Sequence, residues 1–250
     1  MSKAPAVDYA LQIIEILAAS NKMLSLTDIS RQSGINKNAV SRVLGALCEY
    51  SWAYRKDDGY AMTLKPFCVS SRIVSKTELS TIAFPVLKRL WEETGDSCYI
   101  GVRQGRHVCY TLHMASTHDI SVAGRVGGLY DLHCSAAGKI LLASASPEER
   151  SDYAAHYLER KTDKTIIDPT LFLQQLEEIA ARGYAEDDEE GSYGIICFAA
   201  PIRDYTQKIV AAIGLSSATI YSTPQSLREQ QGQLVLAAAE EISRNLGYIG

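Results

Sequence analysis

The sequence predicts an α+β chain in two parts. A small three-helix head closed by a β-hairpin comes first, then a larger domain in which helices cover an antiparallel sheet. Three observations predict this. Residues 8–50 repeat apolar positions at helical spacing in short runs parted by turn signals. Residues 52–62 alternate about an Asp-Gly step. Beyond residue 95, strand-like runs joined by short turns interleave with helical runs.

In the head, Ala10, Ile14, Leu17 and Ala18 place a first amphipathic helix over residues 8–19. Ser25-Leu-Thr-Asp28 is a capping box that opens a second, which Ser33-Gly34 stops. Asn36 caps a third helix running to about residue 50. Helix, glycine turn and helix make a helix-turn-helix. On the third helix Val40, Val43, Leu44 and Leu47 share a face and should be buried. Lys37, Asn38, Ser41, Arg42 and Gly45 share the other. Lys37, Asn38, Ser41 and Arg42 carry groups that read base edges or meet phosphates, so they are candidate contacts to double-stranded DNA. The hairpin at 52–62, with Asp58-Gly59 as a type I′ turn, then stands as a wing. Arg55 and Lys56 near its tip are candidate phosphate contacts.

Pro66 permits a new helix start, and residues 66–76 read as a partly helical linker. A helix is expected at 77–93, then strands at 98–102 and 107–112, a polar stretch at 122–132 and a short helix at 136–145. Helices near 147–157 and 171–182, strands at 194–202 and 208–216, and a last helix at 225–246 complete the chain. The expected division is residues 1–65, linker 66–76 and 77–250.

Of the 250 residues, 46% are hydrophobic and 22% charged, an ordinary soluble balance. No apolar run approaches the roughly 20 residues of a membrane span, and no signal peptide is framed at the N-terminus. A cytoplasmic protein is expected. The six cysteines form no C-x-x-C pair, so neither disulfides nor a zinc ribbon is expected. Net charge is -4, yet residues 1–65 hold eight Lys and Arg against six Asp and Glu. A mildly basic head on an acidic body suits local DNA contact. No nucleophile elbow, dinucleotide fingerprint or P-loop occurs. His113, His118, His133, Cys134 and Cys197 have no metal-ligand spacing. No metal, cofactor or catalytic residue is expected, and an enzyme using the larger domain's pocket is the alternative reading.

The chain resembles the IclR-type transcriptional regulators. Ser25-Leu-Thr-Asp-Ile-Ser through Val40-Ser-Arg-Val-Leu-Gly-Ala-Leu is similar to the family's helix-turn-helix. Leu132-His-Cys-Ser-Ala-Ala-Gly-Lys-Ile-Leu-Leu-Ala143, Arg182-Gly-Tyr-Ala-Glu-Asp-Asp-Glu-Glu190 and Ile196-Cys-Phe-Ala-Ala-Pro-Ile202 are similar to blocks of its effector domain. The resemblance implies a winged helix-turn-helix, a linker helix and a GAF- or PAS-like effector-binding domain. It also implies a homodimer or homotetramer on a palindromic operator. The chain departs from the family's usual pattern at Asn38-Ala39, Asp131 and Gly214.

Ser135 is placed to cap the helix beginning at Ala136, where the N–H groups of Ala136, Ala137 and Gly138 suit a carboxylate. The resemblance adds Asp187, Ile195, Cys197 and Ser216 to an effector pocket, with Tyr130 at its mouth. A small organic acid is expected there, its carboxylate at 135–138 and its other end toward Asp187 and Ser216. Tyr130 and Met114 would tolerate an aromatic ring. Taken alone, Lys139 reads as a solvated helix residue, Asp187-Asp-Glu-Glu190 as a solvated loop, and Cys197 as a small core residue.

Overall fold

A computed structural model describes residues 4–74, 78–120 and 124–249. The chain divides into two compact units, Met1–Ser75 and Lys76–Gly250. The end of the expected linker (75–76), the first residue of the helix expected after it (77) and the start of the expected polar stretch (122–123) lie outside the described residues.

The first unit holds α1 (Pro5–Ala19), β1 (Leu24–Ser25), α2 (Leu26–Ser33), α3 (Lys37–Glu49), β2 (Ala53–Lys56), β3 (Gly59–Met62) and α4 (Lys65–Val74). The Ser25 hydroxyl accepts the Asp28 amide at 3.1 Å and donates to the Asp28 carboxylate at 2.7 Å, fixing the start of α2. Gly34, at φ 70°, ends it. Asn36 Oδ1 accepts the Ala39 amide at 3.0 Å and starts α3. Ile13, Ile29, Val40 and Leu44 are fully buried where the three helices meet. Strand β1 adds to the hairpin, giving the order β1-β3-β2.

The hairpin turn is not the expected one. Lys56 pairs with Gly59, so the two-residue loop is Asp57-Asp58, and only Asp57, at φ 51°, is left-handed. A type I′ turn needs positive φ at both central residues. Gly59 serves close approach instead, because a Cβ there would sit 2.8 Å from Met23 Cβ.

The second unit begins with α5 (Glu78–Thr94), then β4 (Ser97–Gln104), β5 (His107–Met114) and β6 (Leu129–Asp131). Helices α6 (Ala136–Ala143), α7 (Pro147–His156) and α8 (Pro169–Arg182) follow, then β7 (Ala185–Asp188), β8 (Ile195–Arg203) and β9 (Ile209–Ala218). The chain closes with α9 (Pro224–Ser226), a π-helical turn over Leu227–Gln231, and α10 (Gly232–Asn245). The six strands form one antiparallel sheet in the order β6-β5-β4-β9-β8-β7.

Helices cover both faces of this sheet. Alternate residues of β8 decide which core they join. Ile196, Phe198 and Ala200 pack with α5 and α10, while Cys197 and Ala199 pack with α6 and α8. Burial on both faces is why β8 and β9 read as nearly continuous apolar runs. Two strands of this sheet, like β1 of the first unit, were not expected. Strand β6 falls in the polar stretch, and β7 falls where a solvated charge run was read. Asp187 and Glu190 are only 5% and 7% exposed. Lys139 is likewise no solvated helix residue: it is fully buried on α6 and paired with Glu190 Oε1. Each charge is tolerated inside because the other neutralises it.

Candidate nucleic-acid interface and ligand cavity

Lys37, Asn38, Ser41 and Arg42 are all exposed on one side of α3, opposite the buried Val40, Leu44 and Leu47. Val43, expected inside, is half-buried. The first two turns of α3 thus present an ammonium, an amide, a hydroxyl and the Arg42 guanidinium outward. In the hairpin, Arg55 and Lys56 are exposed. The Arg55 guanidinium donates to Asp57 O at 3.0 Å and lies 3.4 Å from Asp58 Oδ1, so the turn itself orients it.

The second unit contains a cavity of about 210 Å³. Its floor is a row of polar side chains set by the sheet register. Asp187 pairs with Cys197, Cys197 with Ser216, and Ser216 with Ser97, across β7, β8, β9 and β4. In-register residues point to one face of a sheet, so the four side chains line up. All four line the cavity. Cys197 Sγ lies 3.2 Å from Ser216 Oγ, and Ser97 Oγ 2.8 Å from His113 Nε2.

One wall is aromatic. Tyr99 and Tyr110 stack with centroids 4.2 Å apart, and Tyr130 lies 4.3 Å from Tyr110 on the open side. Gly214 makes room for this stack, since a Cβ there would lie 2.6 Å from the Tyr99 hydroxyl oxygen. The family-unusual glycine is thus a packing partner of the wall.

The cavity's electrostatics follow from burial. Asp187 Oδ1 accepts the Glu190 amide at 2.7 Å and the Gly191 amide at 3.4 Å. Burial still pushes its carboxyl up to about 6, against a smaller opposing pull from the Lys139 ammonium. Burial also raises the Cys197 thiol, and lowers His113 so that its imidazole is neutral near pH 7. Among the described lining residues the one lysine or arginine is Lys161. Its ammonium bonds Glu159 Oε2 at 2.9 Å and Asp131 Oδ2 at 3.0 Å, and both acids hold its pKa well above the ordinary lysine value. The loop that carries it is pinned, because Thr162 and Thr165 donate to the carbonyls of Glu189 and Glu190, each at 2.7 Å.

Of the residues expected at the ligand site, Tyr130, Ser135, Asp187, Ile195, Cys197 and Ser216 line this cavity together. Ala136 and Ala137 do not line it: both are fully buried and pack into the core between α6 and the sheet. Ser135 does not cap α6 through its side chain. Its hydroxyl donates to Asp131 O at 2.7 Å instead, which ties β6 to the helix start. Met114 packs against the core under α5 and α10 rather than in the cavity. Ser97, Tyr99, Tyr110, His113 and Lys161 were missed. Ser97 and Tyr99 had a signal in their two-residue spacing on β4, but Tyr110 and His113 are three apart on β5 and share a face through the register shift opposite Ile100 and Gly101, which spacing does not announce. Lys161 had none, because its loop has no period. Among the described residues no group of His, Cys, Asp or Glu could hold a metal ion.

Residues 71–244 match the sequence profile of the bacterial transcriptional regulator IclR C-terminal domain, and residues 6–57 that of the IclR helix-turn-helix domain. The chain belongs to the IclR family of transcription regulators. It is 35% identical to the HTH-type transcriptional regulator BhcR of Paracoccus denitrificans, across 95% of this chain and 86% of that protein. The crystal structure of the Thermotoga maritima IclR matches with a TM-score of 0.81 at 27% identity, covering 98% of this chain and 99% of that one. An IclR homologue from Microbacterium hydrocarbonoxydans, complexed with 4-hydroxybenzoate, shares the fold. Its TM-score is 0.86 at 20% identity, over 97% of this chain and 99% of that one. This IclR-family protein is therefore a DNA-binding regulator whose matched relatives regulate transcription rather than catalyse reactions. No described helix is long and apolar enough to cross a membrane.

Proposed function

We propose that this regulator binds a palindromic operator in the cytoplasm as a homodimer or homotetramer, and that a small organic acid in the cavity changes its operator affinity. Residues 1–65 would form the DNA-binding part, 66–76 the linker and 77–250 the effector part. Lys37, Asn38, Ser41 and Arg42 face the major groove in this reading, with Arg55 and Lys56 on phosphate. The ligand that bound the Microbacterium homologue, an aromatic acid, agrees with an acid effector of this size.

The observation that carries the acid reading is Lys161. It is the cation of an otherwise uncharged or acidic lining, its loop is pinned, and its ammonium has a third hydrogen beyond the two bonds to Asp131 and Glu159. The carboxylate therefore sits by Lys161 and Ser135, a shift from the helix start expected from the sequence. Its far end meets Asp187, Cys197 and Ser216, with any ring against Tyr110 and Tyr130. Ligand binding couples to DNA through the half-site spacing of the two DNA-binding parts, which operator geometry fixes.

Calorimetric titration of the full chain with a panel of small aliphatic and aromatic carboxylic acids tests this. At least one acid should bind, and Lys161→Met should weaken it about tenfold or more, as expected for a lost charge-assisted hydrogen bond of ~1.5–3 kcal/mol. Equal affinity in the variant removes Lys161 from the site, and a panel that never binds removes the acid.

A further inference from the structure

The cavity's charges do not cancel, and the residue is informative. Lys139 and Glu190 form a buried pair behind the floor. Lys161 and Asp131 form a second at the rim, where Asp131 also lies 3.6 Å from His107 and Lys161 reaches the exposed Glu159. His113 is neutral near pH 7. Asp187 is what remains, a carboxylate only 5% exposed, with two backbone amides on one oxygen and, among the described residues, no cation bonded to it. Around it stand neutral donors and acceptors, Cys197 and Ser216, and the stack of Tyr99, Tyr110 and Tyr130.

A ligand that brought only a carboxylate would add a second negative charge beside an uncompensated one. A ligand that brought a hydroxyl to Asp187 would satisfy a hydrogen bond and leave the charge buried. A ligand with an ammonium at its far end would cancel that charge, while its acid accepts the third hydrogen of the Lys161 ammonium and the ligand adds no net charge. We propose that the effector is a zwitterion, an acid that also carries a cationic amine, and that Asp187 receives the amine. This rests on the organic-acid reading and narrows it to amino acids and aminoalkyl aromatic acids.

Calorimetry on the full chain with matched pairs tests it. L-alanine is set against L-lactate, L-aspartate against L-malate, L-phenylalanine against L-phenyllactate, and para-aminomethylbenzoate against para-hydroxymethylbenzoate. In at least one pair the amino member should bind about tenfold or more tightly than its hydroxy twin, the ordinary size of a close buried charge pair. Asp187→Asn keeps an oxygen for the two backbone amides and should erase that preference. Hydroxy twins that bind as well or better overturn the proposal, as does an amino preference that survives Asp187→Asn. Acids that bind while every amino acid stays silent overturn the zwitterion alone. Silence from all acids overturns the organic-acid reading and this inference together.

Discussion

Lys139→Met deletes the cation of the buried pair while keeping a similar side-chain volume. Lys139 is fully buried and its partner's side chain is 9% exposed, so water cannot screen the loss. The variant leaves Glu190 and Asp187 as buried carboxylates in mutual repulsion. Removing one partner of a buried pair costs about 3–5 kcal/mol. In a unit the size of residues 76–250, each kcal/mol moves the melting point by roughly 2–4 °C, so a fall of roughly 6–20 °C is expected. A buried orphan carboxylate relieves itself by taking up a proton, so the fall should be larger at pH 8 than at pH 5. Lys139→Met/Glu190→Leu removes both charges and should recover most of the loss, because an apolar pair of similar volume often replaces an ion pair at little cost. Thermal unfolding followed by circular dichroism at both pH values completes the cycle. A single-variant loss under about 1 kcal/mol, or a double variant as unstable as the single one, refutes the burial argument.

Three more expectations are independent of that pair. Arg42→Ala should weaken operator binding by about 1–3 kcal/mol in a DNA titration at fixed salt, while changing folding stability by no more than about 0.5 kcal/mol in thermal unfolding; unchanged affinity excludes Arg42 from the interface. Asp187 titrates near 6 in the fold against 3.8 unperturbed, so its ionised form opposes folding. That penalty is absent below pH ~3.8, grows as pH rises, and is complete above about 6, at up to about 3 kcal/mol. Asp187→Asn without ligand should therefore melt higher than the parent at pH 8, with the advantage roughly halved at pH 5; a pH-independent difference contradicts it. Gly214→Ala places a Cβ 2.6 Å from the Tyr99 hydroxyl and 2.8 Å from the Phe198 carbonyl, which cannot move freely. A loss of about 1–3 kcal/mol with weakened ligand binding is expected by denaturant titration and calorimetry, and a neutral variant contradicts the packing role.

The head was legible because its signals are local. Ser25, Gly34 and Asn36 act on the three or four residues beside them, and the period of α3 fixes which face is buried. The hairpin was legible in existence but not in turn type, since Gly59 answers to Met23, a residue far away in sequence. In the second unit the strands at 97–104, 107–114, 195–203 and 209–218 were found to within a few residues by their apolar runs. Strands β6 and β7 were not, because each is short, polar and held by pairing to a neighbour rather than by its own pattern. Charge misled for the same reason. Nothing near Lys139 in sequence announces Glu190, so a buried pair looked like a solvated lysine and a solvated acidic run. The loop that brings Lys161 to the cavity is pinned by Thr162 and Thr165, contacts no periodicity encodes.

The most direct test is a DNA-binding titration of the full chain on the region upstream of its own gene, at fixed salt, with and without the acids that calorimetry selects. Sequence-specific binding whose affinity changes with one such acid is the predicted result. Binding with no preference over unrelated DNA, or specific binding unmoved by every acid that occupies the cavity, contradicts the account.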